Sequence, residues 1–201
     1  MDQIQFDDSK HTYFFQLPTG RRIIPSVTSI LKAVYPTTWE IDPYFGDKGK
    51  KIHRAIQLLL NNSLDESTVD PIIMPYLKAF ESWRDMSWAK IHDFEKIVYC
   101  AHPEYAGRFD ATFDIGGKVY LLDFKSGGPL KTHAPQVALY GNAHFEKEYA
   151  ACRLALLYLK KDGKFSFKPL TLPEQMEALD AGLRAVESYY QMQDNLFEVK
   201  A

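Results

Sequence analysis

Cysteine is scarce: two among 201 residues. That is too few for a four-cysteine zinc site or for an iron–sulfur cluster held by thiolates alone. It is also a poor disulfide framework, which points to reduced thiols and a cytoplasmic setting. No apolar run approaches the ~18 residues of a membrane span, and the opening MDQIQFDDSK lacks the basic-then-apolar order of a signal peptide. No membrane partner is expected. An excess of positive charge is missing as well: 24 Lys+Arg stand against 26 Asp+Glu, a formal −2, whereas nucleic-acid binders are typically basic. Repeats, low-complexity tracts and Pro/Gly/Ser linkers are absent too. What is present is ordinary globular material, 46% hydrophobic and 14% aromatic, which excludes disorder, collagen and coiled coil. A chain of this length forms about one domain and buries on the order of 70% of its unfolded surface, so folding needs no disulfide or metal.

Short alternating runs come first, at 4–6, 12–17 and 21–24, with turn chemistry at Asp7-Asp8-Ser9-Lys10 and Pro18-Thr19-Gly20. Ser26 before Val27-Thr28-Ser29-Ile30-Leu31 reads as the N-cap of a short helix. Ile52, Ala55, Ile56, Leu59 and Leu60 recur at helical spacing and predict a helix over about 47–61; a second is expected over 69–88. Strands are expected over 94–99, 105–115 and 118–124, the last apolar on both faces. A helix over about 132–145, a strand over 154–159 and a closing amphipathic helix complete the pattern. This order implies a mixed α/β domain around one central sheet. Its expected parts are an N-terminal β/helical extension over 1–45, a core over 46–170 and a C-terminal helix over 171–201.

Gly116-Gly117 is a two-residue hairpin signal, because glycine supplies the positive φ of tight turns. With that pair as the loop, Ile115 faces Lys118, Phe113 faces Tyr120 and, by extension, Asp110 faces Asp123. Directly opposed residues hold their Cβ atoms about 4.5–5.5 Å apart, and like charges there repel. Something positive is needed between them. Lys125, two residues past Asp123, points to the same face. Two carboxylates and a lysine thus converge at one hairpin end, with oxygen ligands suited to Mg²⁺ or Mn²⁺. The alternative is a solvated surface pair at Asp123/Lys125 and a strand-end acid at Asp110. Against it, Asp123 follows the most apolar strand of the chain, where a free carboxylate is costly.

At Gly107-Arg108-Phe109-Asp110 and Asp123-Phe124-Lys125-Ser126 the sequence resembles the PD-(D/E)XK nuclease superfamily, and more closely its RecB-like exonuclease branch. Other pieces of that branch's pattern stand in order. Gly49-Lys50-Lys51-Ile52-His53 is similar to the helix that supplies a metal-binding imidazole, and Glu95 to the acid on the strand before the catalytic hairpin. Gln136-Val137-Ala138-Leu139-Tyr140 is similar to the helix that follows it, and Pro25 to Leu31 resembles an N-terminal signature of phage and mitochondrial members. The match spans about 11–159. With two cysteines, the cluster-bearing branch of CRISPR adaptation exonucleases does not fit, and no iron–sulfur cluster is expected.

The resemblance implies a restriction-endonuclease-like core, a central mixed β-sheet flanked by helices. It implies metal ligation by His53, Asp110, Asp123 and the Phe124 carbonyl, and catalytic roles for Lys125, Asp110, Asp123 and Glu95. An imidazole in the set favours Mn²⁺ somewhat over Mg²⁺. Flanking carboxylates favour the charged form of Lys125, so it would hold water or a phosphate oxygen rather than act as a free base. Gln136 and Tyr140, four apart, share a helix face and would contact DNA or steady the lysine; an ordinary helix face with a core tyrosine is the alternative. Lys51, Arg54, Arg108 and Ser126 are further candidates for DNA contact. The remaining histidines show no ligand spacing. The expected activity is a metal-dependent deoxyribonuclease, an exonuclease on single-stranded or end-containing DNA. An endonuclease of the same fold, a DNA-binding module with a vestigial site, and a metal hydrolase acting on something else are the alternatives. The near-neutral charge fits a local basic groove, Lys48 to Arg54 with Lys125 and Lys131, or help from a protein partner.

Overall fold

The computed structural model describes residues 3–36 and 43–198. Residues 1–2 and 37–42, part of the extension expected over 1–45, and 199–201, part of the closing segment, lie outside the described residues. Three short strands open the chain: β1 Gln5–Asp7, β2 Thr12–Leu17 and β3 Gly20–Ile24, an antiparallel sheet in that order. Then follow α1 Val27–Val34, α2 Pro43–Leu60, α3 Met74–Ser87, β4 Lys90–Ala101, β5 Glu104–Ile115, β6 Lys118–Lys125, α4 His133–Phe145, β7 Arg153–Leu159, β8 Phe165–Pro169 and α5 Leu172–Glu198. The five later strands form one mixed sheet in the order β4-β5-β6-β7-β8, with β6 and β7 parallel and every other pair antiparallel. That parallel pair needs a crossover, and α4 provides it.

The expected mixed α/β architecture is the one observed. Helices cover both faces of the sheet. On one face, Val27, Ile30 and Leu31 of α1, Val137 and Leu139 of α4, and Leu179 and Val186 of α5 pack on Phe109, Leu121 and Leu156. On the other, Ile52 and Ile56 of α2 and Tyr76, Phe80 and Trp83 of α3 pack on Phe113, Leu122 and Leu157. This double cover explains why β6 reads apolar on both faces.

Local chemistry sets the boundaries. Ser26 caps α1, its hydroxyl accepting from the Ser29 main chain while the Ser29 hydroxyl accepts from that of Ser26. The second helix starts at Met74 rather than 69, because Glu66–Thr68 forms a 3₁₀ turn and Pro75 sits in the first helical turn, where its missing N–H costs nothing. β8 has no counterpart among the expected elements. Asp162-Gly163, with Gly163 at φ +77°, is the turn signal that would have found it. Among the described residues no helix is long and apolar enough to cross a membrane.

Candidate metal and phosphate site

The hairpin register follows the glycine pair: Ile115 faces Lys118, Phe113 faces Tyr120 and Ala111 faces Leu122. Pairing ends there, one step short of Asp110 and Asp123. Both acids are buried, at 9% and 3% exposure, at the end of β6 that meets α2 and α4.

The alternation of β4 and β5 reverses next to this point. In β5, Tyr105 and Phe109 pack on the α4 face, whereas Ala111 and Phe113, of the same parity, pack on the α2 face. In β4 the same change separates Val98 from Phe94. Between them Glu95 has φ +49°, a left-handed conformation that is strained for a residue with a Cβ. The pairs Phe94/Ala111 and Lys96/Phe109 flank Glu95 and Asp110, so the two acids stand across from each other where the pleat flips. His53, on α2, completes the set. Ligand atoms of His53, Glu95 and Asp110 all lie within 4.8 Å of one another.

Each acid has its own cation. His53 Nδ1 lies 2.9 Å from Asp110 Oδ1, Lys125 Nζ contacts Asp123 Oδ2, and Arg108 Nε lies 2.7 Å from Glu95 Oε2. Burial disfavours the imidazolium of His53, but Asp110 and then Asp123 outweigh it and push the pKa up to about 9. Burial alone would raise Asp110; His53, Lys125 and the Phe124 N–H, 2.5 Å from Oδ2, hold it below the usual carboxylate range. Burial pushes Asp123 up to about 6, with Lys125 opposing and Asp110 assisting. Glu95 is raised by burial and then by Asp110, against Arg108.

Lys125 is held from a second side. Its ammonium donates to Gln136 Oε1 at 2.7 Å. The Gln136 amide nitrogen in turn donates to Thr28 Oγ1 at 3.2 Å and to the Tyr140 hydroxyl at 3.0 Å. Because a lysine can only donate, this amide orientation is forced. Tyr140 is buried, its ring against Gly107, where an added Cβ would stand 2.3 Å from Cε1. Glycine is needed there for space, not for its φ.

Not every expected residue arrives. Arg54 and Ser126 line the cleft with the groups above, a cavity of about 1000 Å³. Lys51 faces Asp70 at 3.7 Å, in a separate small depression. Asp123 lines the same cleft, engaged by Lys125, beside the three grouped ligands His53, Glu95 and Asp110. Phe124 offers its N–H to Asp110. Thr28, within the Pro25 to Leu31 stretch, takes a site role through Gln136, and His133, three residues before Gln136 on α4, also lines the cleft, with no side-chain spacing to mark it.

The donor set, one imidazole and two carboxylates with a third acid adjacent, suits a hard or borderline divalent ion such as Mn²⁺ or Mg²⁺. His53 retains 29% side-chain exposure, so an ion in the cleft can reach it. Fold and site together define a mixed α/β protein whose sheet end carries a paired-acid, imidazole and lysine centre. No protein-family description and no curated protein matches the chain. Among solved structures it is similar to an alkaline exonuclease from Laribacter hongkongensis, with a TM-score of 0.40 and 8% identity over 88% of this chain and 94% of that one. It is also similar to SSO0001, with a TM-score of 0.33 and 15% identity over 79% and 83% of the two chains. Both likenesses are remote, and neither bears on the chemistry of the site.

Proposed function

We propose that the protein is a metal-dependent deoxyribonuclease of the RecB-like kind, an exonuclease acting on single-stranded or end-containing DNA. The observation that carries the reading is the convergence of His53, Glu95 and Asp110 within 4.8 Å, beside a lysine fixed from two sides. Acids that must each recruit an internal cation, one of them on a strained backbone, form a costly arrangement in a protein interior. A divalent cation gives it a purpose.

His53, Glu95 and Asp110 would hold the ion, with Asp123 and the Phe124 carbonyl as further proposed ligands. When bound, the ion supplies Lewis-acid polarisation of the scissile phosphate and lowers the pKa of coordinated water. Lys125 donates to a phosphate oxygen or to the attacking water, its direction set by Gln136 and Asp123. Gln136 passes that constraint on to Thr28 and Tyr140, so helices α1 and α4 both fix where the ammonium points. Arg108, beside Glu95, and Arg54, at the cleft wall, face the path of a phosphate backbone. Such positioning is most of what phosphodiester hydrolysis asks of a protein.

The test is degradation of end-labelled single- and double-stranded DNA with Mn²⁺ or Mg²⁺. Wild-type protein is expected to release nucleotides from linear DNA and to leave closed circular DNA intact. Cutting of closed circles would replace the exonuclease reading with the endonuclease one.

A further inference from the structure

The proposed chemistry leaves His133 unused, although it lines the cleft at the head of α4. It is 8% exposed. Its Nδ1 lies 3.3 Å from the main-chain N–H of Leu130, a group that can only donate. Nδ1 therefore carries no proton, and the Tyr158 hydroxyl, 3.2 Å away, donates to the same nitrogen. The tautomer follows: the hydrogen sits on Nε2. That N–H has no partner among the described residues and opens on the cleft. Burial, and then Lys125, keep the ring neutral by pushing its pKa down to about 4.

The surroundings select the ligand. Between β6 and α4, Gly127 and Gly128 have nothing within 4 Å of where a Cβ would stand, and neither has a positive φ. Neither packing nor turn geometry within the chain calls for glycine there, while a group from outside gains close approach to the backbone. The Thr132 hydroxyl makes no capping bond to α4, whose N-terminal end carries partial positive charge. Asp123, also in this cleft, is taken up by Lys125, so the groups left to a ligand at the head of α4 are the Nε2–H and the positive end of the helix, which favour an anion with acceptor oxygens. Lys125 and Tyr158 are directly opposed on β6 and β7, which puts His133 one strand over from the lysine.

We propose that the His133 Nε2–H, with the loop 126–130 at the head of α4, binds a non-bridging oxygen of the DNA backbone phosphate next to the scissile one. This rests on the cleft's being a DNA site and adds to it a neutral, tautomer-fixed phosphate ligand.

The test is fluorescence anisotropy of a labelled single-stranded oligonucleotide in EDTA, with methylphosphonates placed one position at a time. A hydrogen bond to a charged group predicts that His133→Ala weakens binding roughly tenfold or more. His133→Gln, which keeps an N–H at a similar reach, should remain within about threefold of wild type. Because the contact carries no charge, the dependence of log Kd on log salt is unchanged in both variants. One methylphosphonate position should weaken the wild type and no longer weaken His133→Ala. Identical methylphosphonate profiles for wild type and His133→Ala, or binding by His133→Ala within twofold of wild type, overturn the proposal. Cleavage with Mn²⁺, measured separately, keeps the two readings apart. DNA held through His133 but never cut sinks the nuclease reading alone. DNA cut by a His133→Ala protein of unchanged affinity sinks this one alone.

Discussion

Metal binding and the His53 proton compete for one imidazole, and the competition can be measured without any nuclease assay. In the metal-free protein His53 is paired with Asp110 and its pKa stands at about 9 against an ordinary 6.5. The folded value lies above the unfolded one, so the pairing stabilises fully below about pH 6.5 and its contribution disappears as pH rises through 9. At 1.36 kcal/mol per unit, the difference is about 3 kcal/mol as an upper figure. The Asp123 midpoint stands at about 6, so from pH 7 to 9.5 the histidine supplies most of the change. Across it, thermal melts in EDTA should show the wild type losing roughly 2–3 kcal/mol, which is about 4–12 °C in Tm for a domain of this size. His53→Gln should be nearly flat. Mn²⁺ should reverse the slope, because only the neutral imidazole can ligate. Apparent affinity should then rise about tenfold per pH unit until His53 is deprotonated, with about one proton released per ion. A metal-free stability that ignores pH, a slope that survives in His53→Gln, or an Mn²⁺ affinity independent of pH would refute the pairing.

Other expectations follow from single contacts. Arg108→Gln frees Glu95 from a partly exposed ion pair; removing a contact worth about 1 kcal/mol should tighten Mn²⁺ binding about fivefold by calorimetry, while weakening DNA binding. Gln136→Leu removes one of the two partners that hold the Lys125 ammonium and one of those at the Tyr140 hydroxyl; kcat should fall at least tenfold with KM changing less, and stability should drop by about 1–3 kcal/mol. Gly107→Ala drives a methyl into the Tyr140 ring, and denaturant unfolding should show a loss of about 1–3 kcal/mol. Lys51→Ala, by contrast, should leave the salt dependence of DNA binding within error of wild type, since Lys51 faces Asp70 outside the main cleft.

Much of this was legible in the residues because it depends on short-range rules. A Gly-Gly turn and strict two-residue alternation set the β5/β6 register, and an i, i+4 spacing put Gln136 and Tyr140 on one face. Helical periodicity likewise placed His53 beside the apolar stripe of α2. What stayed hidden depends on departures from those rules. Alternation cannot foresee the left-handed Glu95 or the reversal at Asp110, where Glu95 comes to stand with Asp110 and His53. The pairing of each acid with a particular cation is a contest among neighbours from four elements. His133 looked unremarkable because its meaning comes from the Leu130 N–H, a main-chain group that no side-chain pattern reveals.

The most direct measurement of the central claim is time-resolved degradation of end-labelled linear DNA by wild type, Asp110→Asn and Lys125→Ala, each with Mn²⁺ and with EDTA. The wild type should degrade the DNA only with metal, and both variants should lose at least a hundredfold in rate while remaining folded. Equal rates in the variants, or full activity in EDTA, would contradict the account.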